Sequence, residues 1–110
     1  MLPKIHRLIK NFNSVFKKGR KLEGCFIWLK FIKNNLGVSR FGFAVGMKIS
    51  KKAVERNKIK RRLRAASYAI LKSVGEPVGY DIAIIAKPEI KKEKLPEIIR
   101  DLKILIKKFR

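Results

Sequence analysis

The sequence predicts an α+β two-layer sandwich, ordered helix, two or three strands, helix, strand, helix (α-β-β(-β)-α-β-α). Three observations lead there. Side chains alternate over 25–32 and again over 39–49, the two-residue period of strands. A stretch from Ser50 to Ser73, free of Gly and Pro, carries Ile59, Leu63, Ala66 and Ile70 on one helical face. The run Ile82-Ala83-Ile84-Ile85-Ala86 is apolar throughout, as in a central strand covered on both sides.

At 110 residues the chain is expected to form one domain, 1–110, with a single modest core. Hydrophobic content of 46% excludes wholesale disorder, and the net charge is +21. Such a charge opposes folding by self-repulsion and calls for a polyanion. Phosphates answer it through counterion release; an anionic membrane surface is the rival sink. The lone cysteine, Cys25, excludes an intramolecular disulfide and a Cys-based zinc site. Lying in an apolar run, it reads as a small buried core residue. The first residues lack a continuous apolar segment and no stretch reaches bilayer length. The cytoplasm is therefore the expected compartment.

The elements follow in order. Residues 1–10 are basic, contain Pro3 and read as an extended arm. His6, the only histidine, has no acid near it in sequence and reads as a polar contact in that arm. Asn11 to Lys18 reads as a short helix with Asn11 as cap and Gly19 beyond its end. Its Phe12 and Phe16 are either core residues or a platform for unpaired bases. Cys25 to Ile32 and Ser39 to Ile49 read as an antiparallel hairpin around the Asn34–Gly37 turn. Tyr80 to Lys87 is the last strand, ended by Pro88. The last helix runs from Leu95 to Phe109, with Leu95, Ile98, Ile99, Leu102, Leu105, Ile106 and Phe109 as its apolar stripe.

The helix after Ser50, its expected N-cap, is the functional element. From Lys51 to Arg64 it holds eight basic residues and one acid, Glu55. Arg56, Lys60 and Arg64 form a stripe beside the apolar face, with Asn57 and Arg61 beyond. A solvated charged face normally mixes signs in i,i+4 pairs; here the acids are almost missing. A nucleic-acid surface fits better.

Catalytic patterns are missing. The acids form no pairing that suggests acid–base or two-metal work, no Gly-rich phosphate loop follows a strand, and no serine has a nucleophile-elbow context. Three non-enzymatic readings compete: a ribosomal or ribosome-assembly rRNA-binding protein, a DNA-binding basic helix, and a membrane-surface protein. No leucine heptad follows the basic helix, and the C-terminal apolar stripe is better used against the sheet than on a membrane.

The segment Arg56-Asn57-Lys58-Ile59-Lys60-Arg61-Arg62-Leu63-Arg64, preceded by Ala53-Val54-Glu55, resembles the Arg-Asn-Arg motif of the bacterial ribonuclease P protein subunit. Leu2 to Leu8, Phe12 to Gly19, Arg40 to Val45 and Asp81 to Pro88 are similar, in order and spacing, to that family's flanking segments. The resemblance implies a ribosomal protein S5 domain 2-like fold with a left-handed βαβ crossover, against the usual hand. It implies a ribonucleoprotein endonuclease that removes the 5′ leader from precursor tRNA, with catalysis in its RNA subunit and no catalytic residue in the protein. The implied partners are that RNA and precursor tRNA, with no membrane and no obligate protein partner. Mg²⁺, bound mainly by the RNA, is the implied cofactor, without an organic one. By resemblance, Arg56, Asn57, Lys58, Lys60, Arg61 and Arg64, with Lys52, Arg7 and Lys10, contact RNA. Phe12 and Phe16 line a leader cleft with Trp28 and Lys30, although which of Trp28, Leu29 and Lys30 faces it stays open. Lys58 stands where the motif has a second arginine, keeping charge but losing the bidentate grip.

Overall fold

A computed structural model describes residues 15, 17–35, 37–73 and 79–108. Arg7, Lys10, Phe12, Phe16 and His6 lie outside the described residues, as do residues 74–78 and Phe109. Of the first expected helix only Val15, Lys17 and Lys18 are described, and these are helical.

The remaining elements are β1 (Arg20–Glu23), β2 (Ile27–Lys33), β3 (Arg40–Ala44), α1 (Ala53–Ser73), β4 (Tyr80–Ala86), a 3-10 turn (Pro88–Lys92) and α2 (Leu95–Lys108). They form a mixed sheet in the order β1-β2-β4-β3. β2 pairs antiparallel with β1 and β4, while β3 runs parallel to β4. α1 is thus the crossover of a βαβ unit. Both long helices cover one face. Ile27, Leu29, Phe31, Phe41, Ile82 and Ile84 meet Ile59, Leu63 and Ile70 of α1 and Ile98, Leu102 and Leu105 of α2 there. On the opposite face Ala83 packs with Val15 and Ile32.

Three expectations change here, and two elements appear that no pattern announced. The hairpin is replaced by an insertion: β4 lies between β2 and β3, because its apolar residues need cover on both faces and partners on both edges. The strand expected over 39–49 stops at Ala44; a turn closed by Ile49 N–H on the Gly46 carbonyl (3.0 Å) follows, and Met47 is 69% exposed. Cys25 is exposed rather than buried, since β2 begins at Ile27 and Cys25 sits in the bend before it. The short strand β1 carries one apolar residue among charges, which suits an exposed edge and hides its period. The 3-10 turn after Pro88 also lacks a periodic signature.

Two buried acids hold the fold, one between helix and sheet and one within the sheet. Asp101 of α2, 6% exposed, accepts the Cys25 N–H at 2.9 Å and the Phe26 N–H at 2.8 Å. Gly24 permits this approach: a Cβ there would lie 2.6 Å from Asp101 Oδ2. Asp81 of β4 accepts both Nε (2.8 Å) and Nη2 (2.7 Å) of Arg40 on β3, and Asn34 Nδ2 at 2.8 Å. Those bonds hold the Arg40 guanidinium even further above its usual high value. The Asp81 side chain is 3% exposed, so one partner lost would leave a charge without compensation. Arg40→Ala should therefore cost about 3 kcal/mol, read as a lowered midpoint in urea.

Candidate nucleic-acid interface

The first turn of α1 is built by the residues before it. Ser50 is not the N-cap; the Lys52 carbonyl accepts the first helical bond, from Arg56 N–H at 3.2 Å. Ser50 sits two residues earlier, accepting the Lys52 N–H at 3.2 Å and donating its hydroxyl to Glu55 at 2.5 Å. Arg56 folds back the same way, its Nη1 donating to the carbonyls of Ser50 and Lys51, each at 3.0 Å. The first arginine of the motif therefore shapes the loop that leads into the helix.

Beyond that clasp the helix turns its cations outward. Ile59, Leu63, Ala66 and Ile70 are buried as expected. Lys52, Asn57, Lys58, Arg61 and Arg64 are exposed, and Arg56 and Lys60 are half-buried beside the core. Arg64 lies over the Phe43 ring of β3 at 5.8 Å. That contact sets the Arg56–Lys60–Arg64 stripe along the edge strand. At about 100° per residue, Arg61 projects from the side away from the core.

The opposite face of the sheet carries the second set. Alternation puts Trp28, Lys30 and Ile32 on the face with Ala83 and Val15, whereas Leu29 is fully buried under the helices. Trp28 and Lys30 thus lie together on the outer face, and Leu29 does not. Two lysines unmarked by any sequence pattern join them. Lys21 Nζ sits 3.3 Å from the Trp28 ring centroid and Lys87 Nζ 5.6 Å from it, a cation–aromatic arrangement. Register brings Lys21 opposite Lys30, something only the pairing of β1 with β2 reveals. Past Ile32, a cleft of 580 Å³ is lined by Lys18, Arg20, Phe31, Ile32, Lys33 and Tyr80.

Both acids nearest these surfaces are engaged. The hydrogen bond from Lys87 (2.8 Å) holds Glu23 below the usual carboxylate value of 4.5, and Glu23 in turn raises Lys87. The Ser50 hydroxyl, then the charges of Lys91 and Lys52, do the same to Glu55. A lowered carboxylate pKa stabilises the fold above about 4.5 and ceases to do so as pH falls through the lowered value. The thermal midpoint should thus fall on acidification below about 4.5, and by less in a Glu23→Gln, Glu55→Gln variant. An identical fall in both would remove these carboxylates from the acid response.

Known proteins resemble the chain along nearly its whole length. The family model described as ribonuclease P matches residues 2–110. The ribonuclease P protein component of Microcystis aeruginosa is 34% identical over 97% of this chain and 92% of its own length. That of Syntrophomonas wolfei is 34% identical over 93% of this chain and 83% of its own. Among solved structures, the RNase P protein from Thermotoga maritima superposes with a TM-score of 0.81 at 29% identity, covering 94% of this chain and 97% of that one. An outward-facing basic crossover helix on this sheet, together with a match along nearly all of the sequence, makes the chain a member of the ribonuclease P protein family.

Proposed function

We propose that the chain acts as the protein subunit of ribonuclease P, with catalysis carried by the RNA. In this reading α1 and its cap residue Lys52 sit on the catalytic RNA, through Lys52, Asn57, Lys58, Lys60, Arg61 and Arg64. The outer sheet face, with Trp28 and Lys30, takes the single-stranded 5′ leader of precursor tRNA. The observation that carries it is the density of outward-facing cations on α1, whose one acid is occupied by Ser50. Neutralising a polyanion in this way releases counterions. Unpaired bases suit an aromatic platform because A-form grooves are poorly read by side chains. Arg7, Lys10, Phe12 and Phe16 belong to the same proposal by resemblance.

Among the described residues no three His, Cys, Asp or Glu side chains converge as metal ligands. In this proposal Mg²⁺ is held mainly by the RNA. Among the described residues no helix is long and apolar enough to cross a membrane.

Reconstitution tests the proposal: the chain added to a ribonuclease P RNA at low magnesium should restore precursor tRNA cleavage. No rescue, combined with tight binding to ribosomal RNA, would sink it in favour of the ribosomal reading. Within the holoenzyme, Trp28→Ala should weaken precursor binding roughly tenfold, about 1–2 kcal/mol for one stacked base, and leave mature tRNA binding unchanged. Equal losses for both would assign Trp28 to the fold alone.

A further inference from the structure

The cations of α1 do not form a single row. Arg64 leans over Phe43 on the β3 side. Arg62, two residues earlier and so about 200° around the helix, leans the other way, its Nη1 reaching the Glu93 carbonyl at 3.5 Å. Arg61 and Asn57 point outward between these flanks, both exposed. On the Arg62 side lies a notch of 220 Å³ lined by Glu55, Lys58, Ile59, Arg62 and Lys91. A helix resting on one phosphate strand has use for one flank only.

We propose that α1 is held between two backbone strands of folded RNA, the second of them seated in the notch formed by Lys58, Arg62 and Lys91. This rests on the ribonuclease P reading above and extends it to Arg62 and Lys91, which that reading leaves without a role. The notch holds one acid, Glu55, and that carboxylate accepts the Ser50 hydroxyl at 2.5 Å. Its ion pair with Lys91, at 3.7 Å and half exposed, is too long for a hydrogen bond and open to exchange for an incoming phosphate. Three cations against one engaged acid leave a net positive site over the apolar floor of Ile59. Lys58 and Arg62 are one turn apart, about 6 Å along the axis, and so can meet successive phosphates of one strand. The bond to the Glu93 carbonyl uses one Arg62 nitrogen. Its Nη2 and Nε have no partner among the described residues and are free to grip a phosphate side-on. Lys91 comes from the 3-10 turn after β4, so the second strand would bridge the crossover helix and the segment leading to α2.

The test is hydroxyl-radical footprinting of ribonuclease P RNA bound to the full chain, with affinity measured across salt. Wild type should protect two separate backbone tracts. Arg62→Gln with Lys91→Gln should lose one tract and keep the other, bind roughly tenfold more weakly, and lower the salt slope by between about one and two. Arg61→Gln with Arg64→Gln should erase the complementary tract. Lys58→Gln with Lys91→Gln, which breaks only the exposed Lys91–Glu55 ion pair, repeats the first result should Arg62→Gln disturb folding. If the notch variants leave the footprint and slope unchanged while the Arg61, Arg64 pair alters both, the two-strand arrangement is wrong and the ribonuclease P reading stands. If neither set alters RNA binding, that reading falls as well.

Discussion

Arg61→Ala combined with Arg64→Ala should weaken binding to ribonuclease P RNA roughly thirtyfold at about 0.15 M salt, a loss of about 2 kcal/mol. Both side chains are exposed, so little of the fold depends on them. Arg64 adds a contact with Phe43 worth about 0.5–1 kcal/mol at an exposed site, and Arg64→Lys separates that term from phosphate gripping. The difference from wild type should shrink as salt rises, because counterion release is what the two guanidinium groups contribute. Arg56 would be a poorer choice despite opening the motif. Its Nη1 holds the Ser50 and Lys51 carbonyls, so Arg56→Ala removes a cation and loosens the entry to α1 together. Filter binding of the double variant at two salt concentrations decides the matter; unchanged affinity at the lower one would overturn the role of α1.

Asp101→Ala should destabilise the fold by about 3–5 kcal/mol. Each bond from a backbone N–H to a carboxylate is worth about 1.5–3 kcal/mol, and the variant leaves the Cys25 and Phe26 donors without a partner. Against a total of about 5–15 kcal/mol, the thermal midpoint should fall by more than about 10 °C. Asp101→Asn keeps one acceptor oxygen and should cost roughly half as much. Gly24→Ala reaches the same defect from the other side, since its Cβ would press on the carboxylate. The double variant should lose less than the sum of the two singles. Calorimetry on wild type and the four variants is the measurement, and a cost for Asp101→Ala within about 1 kcal/mol would show that water replaces the carboxylate.

Legibility in the chain followed the range of the interactions. The basic crossover helix was readable because its cause is local: Ile59, Leu63, Ala66 and Ile70 recur at 3.6 residues, and Lys and Arg crowd the remaining positions. β4 was readable as central because its run of Ile and Ala leaves no polar face. The same local rules misjudged Ser50, whose hydroxyl acts two residues outside the helix, and extended β3 through Gly46 and Met47, where alternation continues but no partner strand does.

Local pattern thus settled the two long helices, the central stretches of β2, β3 and β4, and that α1 carries the dense cationic face. It could not settle strand order, because a hydrophobic period names the buried face of a strand and says nothing of its neighbour. Folding alone inserted β4 between β2 and β3, set Lys21 over Trp28, buried Asp101 against the Cys25 turn, and brought Lys91 beside Arg62. Each of these joins residues far apart in the chain, or depends on a pairing register that a one-residue slip would undo.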